Sequence, residues 1–311
     1  MKVEHDSGKI ISFPFGRHSV DAFYQRPPSP REEIGQRPAI LRLHGILGNL
    51  LDESEYFLPQ VLASAGYSSI TMNTVLANLG LFFGFGVFDD TIAQIDAACD
   101  FLRQAGFKKI IVAGHGLGGC MAIRFGAMAN ESKERDDIVG IIAVATPYSM
   151  PDTVRRRWNR FGSEPSYEEF HQRAGPLFKG NDKGNDRDAS SEDEIVIVKR
   201  AHGTTSASHH ADIYTLKTWW ALAGPEADGP RTHKHISQIR VPMLLIHGSQ
   251  DSIVQASEFE DLARIARESG NSDVTAIELD ANHTFDRKHE ELGRTMTRWL
   301  AERHEHWIDN G

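Results

Sequence analysis

The 311-residue chain has only two cysteines, Cys99 and Cys120, each inside an apolar stretch that reads as helix. So few thiols, so placed, give no disulfide framework and point to a reducing compartment. Basic charge is in deficit too: 34 Lys and Arg face 43 Asp and Glu, a formal net charge of -9. No long-range field therefore favours nucleic acid or an anionic membrane, and neither is expected as a partner. The opening MKVEHDSGKI carries charges where a secretory leader needs an apolar stretch. With no twin-arginine or lipid-anchor motif after it, the expected location is the cytoplasm. Gly66 to Phe88 contains no charged residue, but Asn73, Asn78, Gly80, Gly84 and Gly86 interrupt it, so no membrane span is expected. Fifteen histidines include His209-His210, His233-x-His235 and His304-x-His306, yet no H-E-x-x-H or paired C-x-x-C spacing occurs. Neither a metal nor any other cofactor is expected, and the histidines read as surface residues. No internal repeat is visible.

What the chain does contain is 40% hydrophobic residues, enough for a sizeable core and for small-molecule chemistry. Short β-branched runs alternate with longer segments of helical period, the pattern of a parallel sheet flanked by helices. KVEHDSG and SVDAFYQ suggest an opening meander, PAILRLHG a strand, EYFLPQVLASAG a helix and YSSITMN a strand. FDDTIAQIDAACDFLRQAG is a strong amphipathic helix, with Ile92, Ile95, Ala98, Cys99 and Leu102 on one face. KKIIVAG, LGGCMAIRFGAM and IVGIIAVAT continue as strand, helix and strand. From Pro151 to Gln238 the alternation breaks down, then resumes with VPMLLIHG, SEFEDLARIARESG, DVTAIEL and HEELGRTMTRWLAERH. The reading is an α/β fold: residues 1–150 and 239–311 form one mostly parallel sheet with its helices, and residues 151–238 form an inserted lid or cap. An independent small domain or a solvated excursion is the alternative for the insertion.

The most informative stretch is IIVAGHGLGG, a buried strand running directly into a helix. Gly114, Gly116 and Gly119 match G-x-G-x-x-G, whose bare backbone lets a pyrophosphate sit on a helix N-terminus. That reading, a dinucleotide-dependent oxidoreductase, needs an acidic residue at the end of the next strand. The next strand ends in Thr146, Pro147 and Tyr148, and Asp136 and Asp137 lie before it. The same turn also fits G-x-nucleophile-x-G, with Gly114 and Gly118 flanking and Gly116 where a serine would stand.

Three further features accompany the elbow. His44-Gly45-Ile46-Leu47-Gly48 follows the third expected strand, Asp251 lies in the loop after VPMLLIHG, and His283 lies just past DVTAIEL. In this order, from about residue 3 to residue 305, the chain resembles the α/β-hydrolase superfamily of serine esterases, lipases and peptidases. The resemblance implies the α/β-hydrolase fold and a triad position set of Gly116, Asp251 and His283, with the amides of Ile46 and Leu117 as oxyanion hole. His44 is taken as structural, which is the part the H-G histidine often plays in this superfamily. With a serine at 116, a hydroxyl would attack a carbonyl while His283 takes its proton and Asp251 orients the ring.

Glycine removes only the attacking atom, and it suits a turn that forces unfavourable angles on any side chain. The expectation is an esterase-type hydrolase of a small, partly apolar ester, thioester or amide, inactive or strongly impaired as written. Four readings stay open: a deliberately disabled variant, a hydrolase in which His283 activates water, a ligand-binding homologue without turnover, and Cys120 standing in as nucleophile. His115, Phe82, Phe83 and Trp219 are candidate pocket residues. Phe85 and Phe88 belong to the same aromatic run, which could equally be ordinary core packing, and Trp158, Trp219 and Trp220 could close the pocket or equally anchor the lid to the sheet. Arg155, Arg156 and Arg157 could meet a substrate carboxylate or form a solvated face. The expected partner is a small-molecule substrate, and a homodimer is compatible with the chain.

Overall fold

Ala39–Leu43, with sequence AILRL, is buried at every position, as are Ile110–His115 and Met243–Gly248. Strands apolar on both faces belong in the middle of a sheet covered on two sides. In the computed structural model of the protein, which describes residues 8–16, 18–28, 36–52, 56–79, 82–83, 86–129, 135–178, 194–200 and 211–308, that is where they lie. The strands are β1 Lys9–Phe15, β2 His18–Gln25, β3 Ala39–Leu43, β4 Ser69–Met72, β5 Asn78–Leu79, β6 Phe82–Phe83, β7 Ile110–His115 and β8 Ile138–Val144. They continue as β9 Ser163–Glu164, β10 Ile195–Arg200, β11 Ala211–Thr215, β12 Met243–Gly248 and β13 Val274–Leu279. Eight of them form one sheet in the order β1-β2-β4-β3-β7-β8-β12-β13. Only β2 runs against the rest, because it pairs antiparallel with both β1 and β4 while every other neighbouring pair is parallel.

The helices are α1 Leu58–Ser64, α2 Asp90–Gln104, α3 Leu117–Ala129, α4 Met150–Arg160, α5 Tyr167–Phe178, α6 Leu216–Ala223, α7 Thr232–His235, α8 Ala256–Glu268, α9 His289–Glu302 and α10 His304–Ile308. Alternation along the strands divides the core in two. Leu41, Leu43, Val112, Ile141, Ala143, Met243 and Leu245 face the cluster that contains Ile95 and Leu102 of α2, Ile123 of α3 and Leu262 of α8. Ile40, Ile111, Ala113, Ile142, Val144, Leu244 and Ile246 face Leu62 of α1 and Met296 and Trp299 of α9. Crossovers between parallel strands require such helices on both faces.

Two expectations change. The expected strand KVEHDSG lies, but for Gly8, outside the described residues, and the first described strand, β1 Lys9–Phe15, is one the pattern does not single out; it pairs with β2 from Lys9↔Tyr24 to Phe15↔His18. Gly16, with φ +57°, sits at the turn and sets that register, which alternation alone does not reveal. Between β8 and β12 the segment that reads as irregular contains α4, α5, the sheet β11-β10-β9 and α6. VRRRWNR is the body of α4, in which Val154 and Trp158 are buried four residues apart. Trp158, Tyr167, Phe170, Tyr214 and Trp219 pack ring to ring, and they are continuous with the α2–α3 side of the main core.

Candidate active site

In a parallel sheet every strand ends at the same edge, so loops that follow different strands can converge there. His44 follows β3, Gly116 follows β7, Asp251 follows β12 and His283 follows β13. The structure brings 116, 251 and 283 together. His283 Nδ1 donates to Asp251 Oδ2 at 2.7 Å. Asp251 Oδ1 accepts the amides of Ile253 at 2.7 Å and Val254 at 3.0 Å, so both carboxylate oxygens are used. Burial by itself would raise this carboxyl. The hydrogen bond from His283, the charge of that ring and the two amides outweigh burial and hold it below the usual carboxylate range.

With Nδ1 donating to Asp251, Nε2 is the ring nitrogen left to face residue 116, and it is the acceptor whenever the ring carries a single proton. A β-carbon built on Gly116 lies 3.7 Å from that Nε2 and, among the described residues other than its chain neighbours, meets nothing else within 4 Å. The His283 side chain is 22% exposed whereas that of Asp251 is fully buried, so the ring alone is open to a ligand.

The elbow is fixed by backbone. Gly116 has φ +54°, its N–H donates to Val144 O at 2.8 Å, and its carbonyl accepts Gly119 N at 3.1 Å. At Gly114 a β-carbon would lie 2.1 Å from the Gly118 backbone, and at Gly118 it would lie 2.1 Å from Leu43 O. Strand β3, the elbow and α3 approach too closely there for any side chain. Gly119 packs on Thr146, where a β-carbon would fall inside the threonine side chain. The spacing that resembles a dinucleotide fingerprint is thus accounted for by helix–strand packing.

The amide of Leu117 begins α3, where helical N–H groups lack an intrahelical acceptor. On the facing loop, Leu47 takes φ +60° and Gly48 N donates to Gly45 O at 3.2 Å, a tight turn that carries Ile46. His44 beneath it is fully buried. Its Nδ1 donates to Gly45 O at 2.9 Å and its Nε2 accepts Thr74 N at 3.1 Å, and burial pulls its pKa down to about 4. It is a neutral brace.

The remaining candidates divide. His115, the last residue of β7, is buried, and its Nε2 donates to the carbonyl of His283 at 2.8 Å with the two rings 4.9 Å apart. Burial, then the neighbouring His283, lowers its pKa to about 4. A β-carbon on Gly45 would come within 3.2 Å of its Nδ1, so His115 is wedged between the H-G loop and the His283 loop. Sequence reasoning takes it for a pocket residue and misses this tie; its place between two elbow glycines is the signal for a buried position. Phe82 and Phe83 form β6, paired with β5 and packed beside β11. Phe88 is core, and Phe85 lies outside the described residues. Trp219 is fully buried, with Phe170 at 4.5 Å and Tyr167 at 5.2 Å between ring centroids. It belongs to packed interior, not to an open wall.

Cys120 is buried with its thiol pushed up to about 12 by burial, and its Sγ lies 3.7 Å from Gly116 O and 3.1 Å from Thr232 Oγ1. A neutral thiol behind the elbow is no nucleophile. Arg155 pairs with Glu168 at 2.9 Å and Arg156 with Glu258, which also accepts Tyr148 N at 3.0 Å. Both arginines therefore serve internal ties. Among the described residues no group of three His, Cys, Asp or Glu could hold a metal ion, and no helix is long and apolar enough to cross a membrane.

The sheet order with its single reversed strand, the glycine-braced elbow, and the Asp–His pair beyond the last two strands define an α/β hydrolase. The chain belongs to the serine aminopeptidase S33 family, Hydrolase_4, which it matches over residues 77–280. Among solved structures it is similar to Est1E from Butyrivibrio proteoclasticus, at a TM-score of 0.64 and 15% identity, covering 96% of this chain and 99% of that one. It is also similar to the monoacylglycerol lipase of Paleococcus ferrophilus, at 0.61 and 17%, covering 91% and 98%. A third is the esterase domain of a Rhodothermus marinus protein, at 0.59 and 17%, covering 94% and 97%. No curated protein matches the chain.

Proposed function

We propose that the chain is built for carboxylic ester hydrolysis and that glycine at position 116 denies it an acyl-enzyme, leaving turnover strongly impaired. The observation that carries this reading is His283 Nε2, held 3.7 Å from where a β-carbon at 116 would lie while Nδ1 is held by Asp251. A serine there would place its hydroxyl next to the base. In this assignment His283 is general base and acid, Asp251 orients it, and the amides of Ile46 and Leu117 receive the oxyanion. The substrate class is a small, partly apolar ester, thioester or amide. Phe82 and Phe83 on β6 border it, and residues 151–238 act as its lid. Est1E has been solved with ferulic acid bound, and aromatic esters are accordingly the first compounds to try. The two free, buried cysteines suit work in the cytoplasm.

The test is Gly116→Ser. It should react with a fluorophosphonate probe at residue 116 and hydrolyse p-nitrophenyl esters, whereas the chain as it stands should not be labelled. A folded Gly116→Ser variant that neither labels nor turns over removes this reading. A binder without turnover is the second reading, favoured by Gly116 itself, and predicts ligand retention in both forms with no gain from the serine.

A further inference from the structure

From the geometry beside Gly116 we infer an activity of the chain as it stands: single-displacement hydrolysis of activated carbonyls, with water as the attacking group. The inference rests on the hydrolase reading above and adds the reaction and its substrate class. Three observations support it. Among the described residues other than its chain neighbours, the region where a side chain would begin at 116 has one near neighbour, His283 Nε2 at 3.7 Å. That nitrogen is the ring's acceptor, because Nδ1 donates to an acid that is fully buried and held by two amides. The amide of Leu117, first in α3, lies one residue from the same spot. An oxygen hydrogen-bonded to Nε2 at about 2.8 Å would occupy the place a hydroxyl side chain would otherwise fill.

In the reaction, the water oxygen bonds to the carbonyl carbon as one of its protons passes to Nε2. The carbonyl π electrons move onto oxygen, where the Leu117 amide faces the developing charge. Collapse of this adduct breaks the bond to the leaving oxygen or sulfur, which departs with the electron pair and takes the proton from Nε2. The sum is ester or thioester plus water giving acid plus alcohol or thiol. No covalent enzyme intermediate forms. A water molecule lacks the fixed position of a tethered hydroxyl, so the advantage of a pre-oriented nucleophile is lost. Only carbonyls with good leaving groups then react at useful rates, which selects aryl esters and thioesters over amides.

The experiment compares the full chain with His283→Ala, Asp251→Asn, Gly116→Ala and Gly116→Ser on p-nitrophenyl butyrate, with thermal unfolding to confirm folding. The chain as it stands should exceed His283→Ala by about 100-fold, the usual yield of a positioned general base. Asp251→Asn should fall toward the His283→Ala rate. So should Gly116→Ala, because its methyl carbon takes the space next to Nε2; if the left-handed backbone prevents that variant from folding, Asp251→Asn decides. Equal rates for the chain and for His283→Ala, with Gly116→Ser labelled and active, would overturn this inference and leave the esterase reading standing. A folded but inert Gly116→Ser would remove both.

Discussion

The edge of the main sheet and the segment between β8 and β12 are both well packed, yet they are specified in different ways. At the edge, the positions that matter are fixed by backbone: Gly114 and Gly118 allow β3, β7 and α3 to touch, and Gly116 takes a left-handed turn. Four loops then meet because four strands end together. In the segment between β8 and β12, short elements are held by side chains, chiefly the rings around Trp158 and Trp219 and the Arg156–Glu258 pair. A backbone-built site keeps its shape when one side chain is lost. A side-chain-built segment does not, and from this difference come the expected outcomes.

The largest effect is expected at the edge. Gly116→Ser should raise ester turnover by at least about 10³, since losing the nucleophile alone costs about 10⁶ in a serine protease while the rest of the apparatus keeps working. Stopped assays with p-nitrophenyl butyrate measure it. The gain should be lost in the double variant His283→Ala/Gly116→Ser, because the new hydroxyl depends on the base.

In the segment between β8 and β12, Trp219→Ala should cost about 3 to 5 kcal/mol of stability, the usual loss for a large buried ring. Denaturant unfolding reads it, and a loss below 1 kcal/mol would argue that these rings are not what holds the segment. Acid should strike the edge. His44 and His115 are held neutral, their folded pKa values near 4 lying below the ordinary 6.5. The unfolded chain therefore binds more protons between those values. The stability these two residues lend is complete above pH 6.5 and is lost as pH falls from 6.5 toward 4, by up to about 3 kcal/mol each. A melting temperature that is flat over that window in the intact chain, or unchanged in slope in His44→Gln, contradicts the brace.

Smaller effects sharpen the contrast. Gly116→Ser should lower stability by only about 1 to 2 kcal/mol through its left-handed φ, while the elbow persists. Ile197→Lys, on the exposed face of β10 at 53% accessibility, should change stability by less than about 0.5 kcal/mol. Its neighbours Val196 and Val198 face the core, and truncating them should cost more.

Much of this was legible. PAILRLHG, KKIIVAG, IVGIIAVAT and VPMLLIHG read as buried strands because their apolar runs are short and bounded by turn residues. The grouping of residues 116, 251 and 283 was readable because loops that follow different strands of a parallel sheet meet at one edge. The role of His115 was not, since its partner is a backbone carbonyl 168 residues away. Nor were α4 and α5: Arg-rich and polar on one side, they show a helical stripe only once Val154, Trp158 and Phe170 are known to share a core. Trp219 reads equally well as pocket or packing, and burial alone settles it.

By itself the sequence determined which segments are strands of the large sheet, their helical connections, and the order glycine elbow, acid, histidine along the chain. Those follow from local period and turn chemistry. Only the tertiary structure decided that Nε2 of His283 faces residue 116, that Cys120 lies behind the elbow, and that His115 ties two loops together. Each is a contact between residues distant in the chain, set by how parallel strands align at one edge and by which side chains that alignment buries.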